Sequence, residues 1–152
     1  MKIAILLKQV PDTETKIRPK ADGTGIEEGD VKWIVNRYDE FAVEEAIRTK
    51  EKVAGSETVV ITVGTEKAVE SMRTALAMGI DKGVHIDSAG ASFDSFSIAT
   101  ILANVMKDRG FDVIFCGRQA IDGDCSQVGP MLSELLDIPQ VMVAEKFEVG
   151  AD

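Results

Sequence analysis

Short runs of apolar residues, each too brief and too β-prone to be a helix, recur along this chain with amphipathic stretches between them. Ile3–Leu7 (IAILL) comes first, then Glu57–Val63 (ETVVITV), Gly83–Asp87 (GVHID) and Val113–Cys116 (VIFC). The unbroken runs suit strands covered on both faces, which is the condition of a parallel sheet flanked by helices. Strand and helix alternate throughout, so right-handed crossovers should wind the sheet in both directions. The expectation is an α/β fold of three layers, αβα, around a mostly parallel, doubly wound sheet in a single domain spanning residues 1–152.

The intervening stretches carry helix signals. Asn36 is placed to cap a helix with Asp39 and Glu40 in its first turn, where carboxylates oppose the positive end of the helix dipole. Phe41, Ala42, Val43, Glu45, Ala46, Ile47, Thr49 and Lys50 continue at helical spacing to about Val53, and Gly55 stops it. Glu66–Met78 follows with Val69, Met72, Leu76 and Ala77 inward and Gly79 as the cap. Ser92–Arg109 is a third helix, capped by Ser92 or Asp94 and closed by Gly110. Val128, Met131, Leu132, Leu135 and Leu136 form one face of a fourth. Val141–Val149 alternates partially and is expected as a fifth strand. Thr13–Val35 is different in kind: polar, with Asp22-Gly23 as a hairpin signal, and is expected to leave the main sheet as a small antiparallel ribbon carrying Trp33.

A net charge of −9 argues against general binding to nucleic acid or to an anionic membrane. No apolar stretch approaches membrane-spanning length, and Lys8 interrupts the N-terminal run too early for a signal-peptide core, so a cytoplasmic protein is expected. Cys116 and Cys125 form no C-x-x-C pair. Cys116 ends an expected core strand and is read as a small buried hydrophobe.

In a doubly wound sheet, ligands sit beyond the C-terminal strand ends where the strand order reverses. That rule selects Lys8–Asp12, read as a turn, together with Gly64-Thr65, Asp87–Ala91 and Gly117–Asp124. The chain has neither the G-x-G-x-x-G fingerprint after its first strand nor a G-x-x-x-x-G-K-[ST] loop. His85, the only histidine, lies within an expected strand and is read as structural. Ser88, Ser92, Ser95 and Ser97 have no nucleophile elbow around them. Asp122 and Asp124 lack a third ligand for a metal. Nothing forms a catalytic constellation. What remains is Gly117–Val128, a glycine-punctuated loop between a buried strand and a helix N-terminus, an arrangement that can offer backbone N–H groups to a phosphate. Gly123 permits an unusual backbone conformation or close approach. Asp124 or Ser126 can cap the helix, and Arg118 can offset the acidic pair.

The run Gly117-Arg118-Gln119-Ala120-Ile121-Asp122-Gly123-Asp124-Cys125-Ser126-Gln127-Val128-Gly129 resembles the adenine-nucleotide loop of the electron transfer flavoprotein β subunit. Lys8–Asp12, Asn36–Ala46 and Arg73–Gly79 agree with the same family, in the right order along the chain. The resemblance implies an adenine-nucleotide-binding, Rossmann-like domain without catalytic residues of its own. It implies a heterodimer with an α subunit that holds the catalytic FAD, receiving electrons from acyl-CoA-type dehydrogenases and passing them to a respiratory or low-potential acceptor. The β subunit itself holds AMP, or a second FAD in members that bifurcate electrons. By matching positions, the nucleotide would be contacted at Leu6, Asn36, Val63, Gly117, Arg118, Gln119, Ala120, Ile121, Asp122, Gly123, Asp124, Cys125, Ser126, Gln127 and Val128. The form Asp122-Gly123-Asp124 followed by Gln127-Val128-Gly129-Pro130 is more like the FAD-holding members. The family's subunit continues past residue 152, so the chain resembles its N-terminal nucleotide-binding part. A stand-alone ATP-binding regulatory module of the universal-stress type is the alternative, although no glycine-rich triphosphate loop follows the fourth strand. A pyrophosphatase-type enzyme would want a Ser-Gly-Gly-rich loop after the first.

Overall fold

A computed structural model describes residues 1–150. Six strands and four helices follow in the order β1 (Lys2–Leu6), β2 (Gln9–Pro11), β3 (Trp33–Val35), α1 (Arg37–Lys52), β4 (Glu57–Gly64), α2 (Ala68–Met78), β5 (Lys82–Asp87), α3 (Ser95–Met106), β6 (Val113–Cys116) and α4 (Val128–Leu136). The main sheet is wholly parallel, in the order β5-β4-β1-β6. β1 is therefore central, with Leu6 opposite Ile61 on one side and Cys116 on the other. The chain first winds outward from β1 through β4 to β5, then crosses back to add β6 on the far side. Right-handed crossovers place helices on opposite faces when the direction of winding reverses.

The side chains of β1 show both faces at once. Ile3 and Ile5 pack with Val43 and Ala46 of α1 and Ala75 of α2. Ala4 and Leu6 pack on the opposite face with Ala99, Leu102 and Ala103 of α3 and Leu132 of α4. Alternating strand residues thus bury in two separate cores, the reason the run could contain no polar residue. The three-layer, doubly wound reading holds.

Several local expectations change. Lys8–Asp12 is not a simple turn: Gln9–Pro11 pairs antiparallel with Trp33–Val35 as a two-stranded ribbon, carrying Trp33 opposite Pro11. Proline is tolerated there because β2 is an edge strand with few ladder bonds to supply. The Asp22-Gly23 turn forms, with a single bridge between Pro19 and Ile26 rather than a ladder. Asp94 caps α3, accepting from the Ser97 amide at 2.7 Å, whereas Ser92 lies outside the helix. On α2 the inward face is turned: Ala68, Ser71 and Ala75 are buried, Met72 and Leu76 partly so, and Ala77 is exposed. On α4 Leu132 is buried but Leu135 is exposed.

Val141–Val149 forms no strand. It runs irregularly over the surface, Val141 is 82% exposed, and Val143 has a left-handed φ of 54° that breaks strand geometry. Its anchor is Phe147, whose ring meets Phe115 of β6 edge-on with centroids 4.9 Å apart. Among the described residues no helix is long and apolar enough to cross a membrane.

Candidate functional site

The reversal of winding leaves a crevice where the C-terminal ends of β1 and β6 diverge, since the connections leaving them go to opposite faces. A cleft of about 260 Å³ occupies it. Leu6, Leu7 and Lys8 at the end of β1, Ile61 and Val63 of β4, and Cys116 of β6 form its floor and walls. The N-terminus of α3 closes another side through Phe93, Asp94, Ser95 and Ile98. The segment 117–129, except for Ile121 and Asp122, forms most of the rest, with Asn36, Asp39 and Leu102.

Of the residues singled out from the sequence, Leu6, Asn36, Val63, Gly117, Arg118, Gln119, Ala120, Gly123, Asp124, Cys125, Ser126, Gln127 and Val128 line this one cleft. Ile121 and Asp122 hold the loop instead. The Ile121 amide donates to Asn36 Oδ1 at 3.1 Å, and Asn36 Nδ2 donates to the Gln119 carbonyl at 2.8 Å. Asn36 is 1% exposed and spans the loop backbone like a paired strand residue. It precedes α1, but its side chain makes no cap bond; only its carbonyl serves the helix, accepting from the Asp39 and Glu40 amides. Asp122 pairs with Lys8, Nζ to Oδ1 at 2.8 Å, tying the loop to the end of β1. The offset for the acidic pair is therefore Lys8 and not Arg118.

Asp124 and Ser126 do not cap α4 either. Gln127 is the cap residue and makes no side-chain cap bond. Asp124 accepts from Gln119 Nε2 at 2.7 Å, and the Ser126 hydroxyl donates to Gln119 Oε1 at 3.2 Å. One glutamine side chain thus braces both ends of the turn. The backbone freedom expected of Gly123 is used by its neighbours, for Asp124 and Ser126 have left-handed φ values of 50° and 54°. Such φ values cost non-glycine residues of order 1 kcal/mol each and gather where a loop is shaped for a ligand. No acceptor among the described residues engages the amides of Ser126, Gln127, Val128 or Gly129. Four N–H groups at a helix start, next to a turn of alternating handedness, suit an anion.

Gly117 is the glycine whose missing side chain matters. A Cβ there would lie 2.7 Å from the Tyr38 carbonyl carbon and 2.8 Å from the Asp39 nitrogen, and closer still to Asp39 Oδ1. Its absence lets β6 approach the first turn of α1. Asp39, read from the sequence only as a helix-dipole residue, is buried there. Its Oδ2 accepts from the Lys8 amide at 2.7 Å and its Oδ1 from the Gly117 amide at 3.2 Å. Burial pushes its carboxyl up from 3.8 to about 6, against the lowering effect of these hydrogen bonds and of the Lys8 charge. Cys116 corrects a second expectation: it is exposed to the cleft and not buried. Protein packed around it, then the nearby Asp39 charge, raise its thiol above the usual range. His85 sits in β5 with Nε2 donating to the Gly64 carbonyl at 2.9 Å, a structural use. Among the described residues no three His, Cys, Asp or Glu side chains are grouped to hold a metal.

Residues 23–152 match the model of the electron transfer flavoprotein domain. The chain belongs to that family. It is 47% identical over 154 residues to the electron transfer flavoprotein subunit beta of Thermoanaerobacterium thermosaccharolyticum, covering 100% of this chain and 58% of the relative. The subunit beta of Bacillus subtilis is 46% identical over 99% of this chain and 58% of its own length. The human subunit beta is 37% identical over 100% of this chain and 61% of its own. The chain therefore spans about 60% of the length of these electron transfer flavoprotein relatives.

Proposed function

We propose that this chain is the nucleotide-holding part of an electron transfer flavoprotein β subunit and binds the adenine nucleotide AMP in the β1/β6 cleft. The observation that carries this reading is the loop 117–129: Asn36 and Gln119 brace it while its last four amides meet no acceptor among the described residues. In this reading the phosphate takes the amides of Ser126–Gly129, the apolar walls from Leu6, Ile61, Val63 and Ile98 cover the adenosine, and Arg118 balances charge at the rim while Lys8 stays paired with Asp122.

A second FAD is the other reading. The Asp122-Gly123-Asp124 form of the loop favours it, and the flavin half would then extend out of the cleft. A flavin supplies one- and two-electron chemistry, and the protein's part is to place and shield it. The proposed partner is an α subunit holding the catalytic FAD, with electrons from an acyl-CoA-type dehydrogenase passing to a respiratory or low-potential acceptor. In this reading the chain is a component of an electron carrier and not an enzyme with catalytic residues of its own.

Extraction of the purified, acid-denatured protein tests the reading. AMP in the supernatant is the expected result, and FAD absorbance would favour the second reading. Absence of both, with no heat of binding for either in titration calorimetry, would sink the proposal. Tighter binding of ATP than AMP by a homodimer would favour a regulatory module of the universal-stress type.

A further inference from the structure

Asp39 is chemically out of place unless it does something for the cleft. A carboxylate at a helix N-terminus is ordinarily solvated, yet this one is 6% exposed and turned inward. Its two oxygens accept from two backbone amides that are distant in sequence, Lys8 at the end of β1 and Gly117 at the end of β6. Those strand ends are the two lips of the cleft, and both residues line it. Gly117 lacks a side chain at the one place where a Cβ would displace this carboxylate. The groups facing Asp39 are few, and one is the neutral side chain of Asn36, which lowers its carboxyl. Lys8 from the β1 end acts on its charge and is itself held by Asp122; Cys116 from β6 is a neutral thiol; on α1, Arg37 and Glu40 pair with each other at the surface, 3.6 Å apart.

We propose that Asp39 is a positioning residue whose ionised carboxylate sets the spacing of the two cleft lips, so that nucleotide binding is coupled to its loss of a proton. The inference rests on the cleft being the nucleotide site. An ionised carboxylate is acceptor-only and satisfies both amides. A protonated one turns a hydroxyl toward one of the two N–H donors and surrenders that tie. With the carboxyl poised at about 6, the switch falls in a range that cells and assays both visit. Nucleotide binding should draw the proton off, and acidification should weaken binding.

The test is carried out on the whole 152-residue chain. Calorimetric titration with AMP from pH 5 to 8 compares the wild type with Asp39→Asn, using the ratio of the two dissociation constants, in which AMP's own phosphate ionisation cancels. The variant should bind about tenfold more weakly at pH 8, from one lost hydrogen bond. The difference should shrink toward pH 5, where the wild type is protonated as well. A ratio that is flat with pH, with AMP still bound by the wild type, overturns the coupling and leaves the site assignment intact. Failure of the wild type to bind AMP or FAD overturns both. Should the variant not fold, the wild type alone decides: the ¹³C titration midpoint of the Asp39 carboxyl should fall when AMP is added. An unmoved or raised midpoint overturns the proposal.

Discussion

At the scale of single residues, the site depends on side chains that hydrogen-bond to backbone far away in sequence. Asn36 engages residues 83 and 85 positions on. Replacing it with alanine leaves the Gln119 carbonyl and the Ile121 amide without partners, each costing about 1–3 kcal/mol when buried. Thermal unfolding of Asn36→Ala should fall by several degrees, at ~2–4 °C per kcal/mol for a chain of this size, and AMP affinity should fall about tenfold. A melting temperature within a degree of wild type would show that the loop holds without this bridge. Gly117→Ala forces a methyl group into the Tyr38–Asp39 backbone. It should cost about 3 kcal/mol, at the upper end of overpacking effects because backbone cannot step aside as a side chain can; urea titration measures it. Asp81 is a smaller case. It accepts from the Thr58 amide and hydroxyl, both at 2.9 Å, and pairs with Lys50, which holds its carboxyl down at about 2.

At the scale of elements, β1, β4 and β6 were legible because a strand covered on both faces is mostly apolar and β-branched; the polar residues buried in β4 are the threonines Thr58 and Thr62. The helices were legible from spacing and punctuation, with Asp94 the cap that the structure keeps. Asp94→Ala should therefore lower stability by about 1 kcal/mol, read as a melting shift of ~2–4 °C with AMP affinity reduced as well, since Asp94 lines the cleft. What the residues alone could not reveal is where the contacts span the sheet. Asp39 looks like any first-turn carboxylate until β6 is laid beside β1, and the close approach at Gly117 has no local signature. The pattern of Val141–Val149 misled for the opposite reason. Its residues favour a strand, but Asp137 turns the chain in a left-handed cap after α4 and Val143 bends it again, so the segment never aligns with the free edge of β6. Loop 117–128 was legible as a candidate segment, and all of it but Ile121 and Asp122 lines the cleft; its bracing by Gln119 was not legible, because the sequence offered nearer roles for both Asp124 and Ser126.

For the whole molecule, stability should carry the mark of a buried acid. Asp39 has its carboxyl raised from 3.8 to about 6, so between those values the native state holds a proton that the unfolded chain has released. Its contribution is complete below about 3.8 and is lost as pH rises through about 6, some 3 kcal/mol in all. Asp81 works in the other direction, contributing above 3.8 and losing that contribution as pH falls through about 2; being partly exposed, it has the smaller effect. Urea titrations at pH 4 and pH 7 should show the wild type losing stability relative to Asp39→Asn as the pH is raised. A difference that does not change with pH would place the charge of Asp39 in better solvation than its burial indicates.

The central position of β1 also has a temporal side. Residues 2–6 leave the ribosome well before β6, one of the two neighbours that complete them, which begins just after Asp112, the partner of Lys2 across 110 residues. At about 5–20 residues per second, that partner follows some 5–20 seconds later. Throughout that interval an apolar strand has one edge unsatisfied, and long-range parallel pairing is slow even once the chain is complete. Synthesis, and not only the finished fold, should therefore be the stage at which this protein leans most on chaperones.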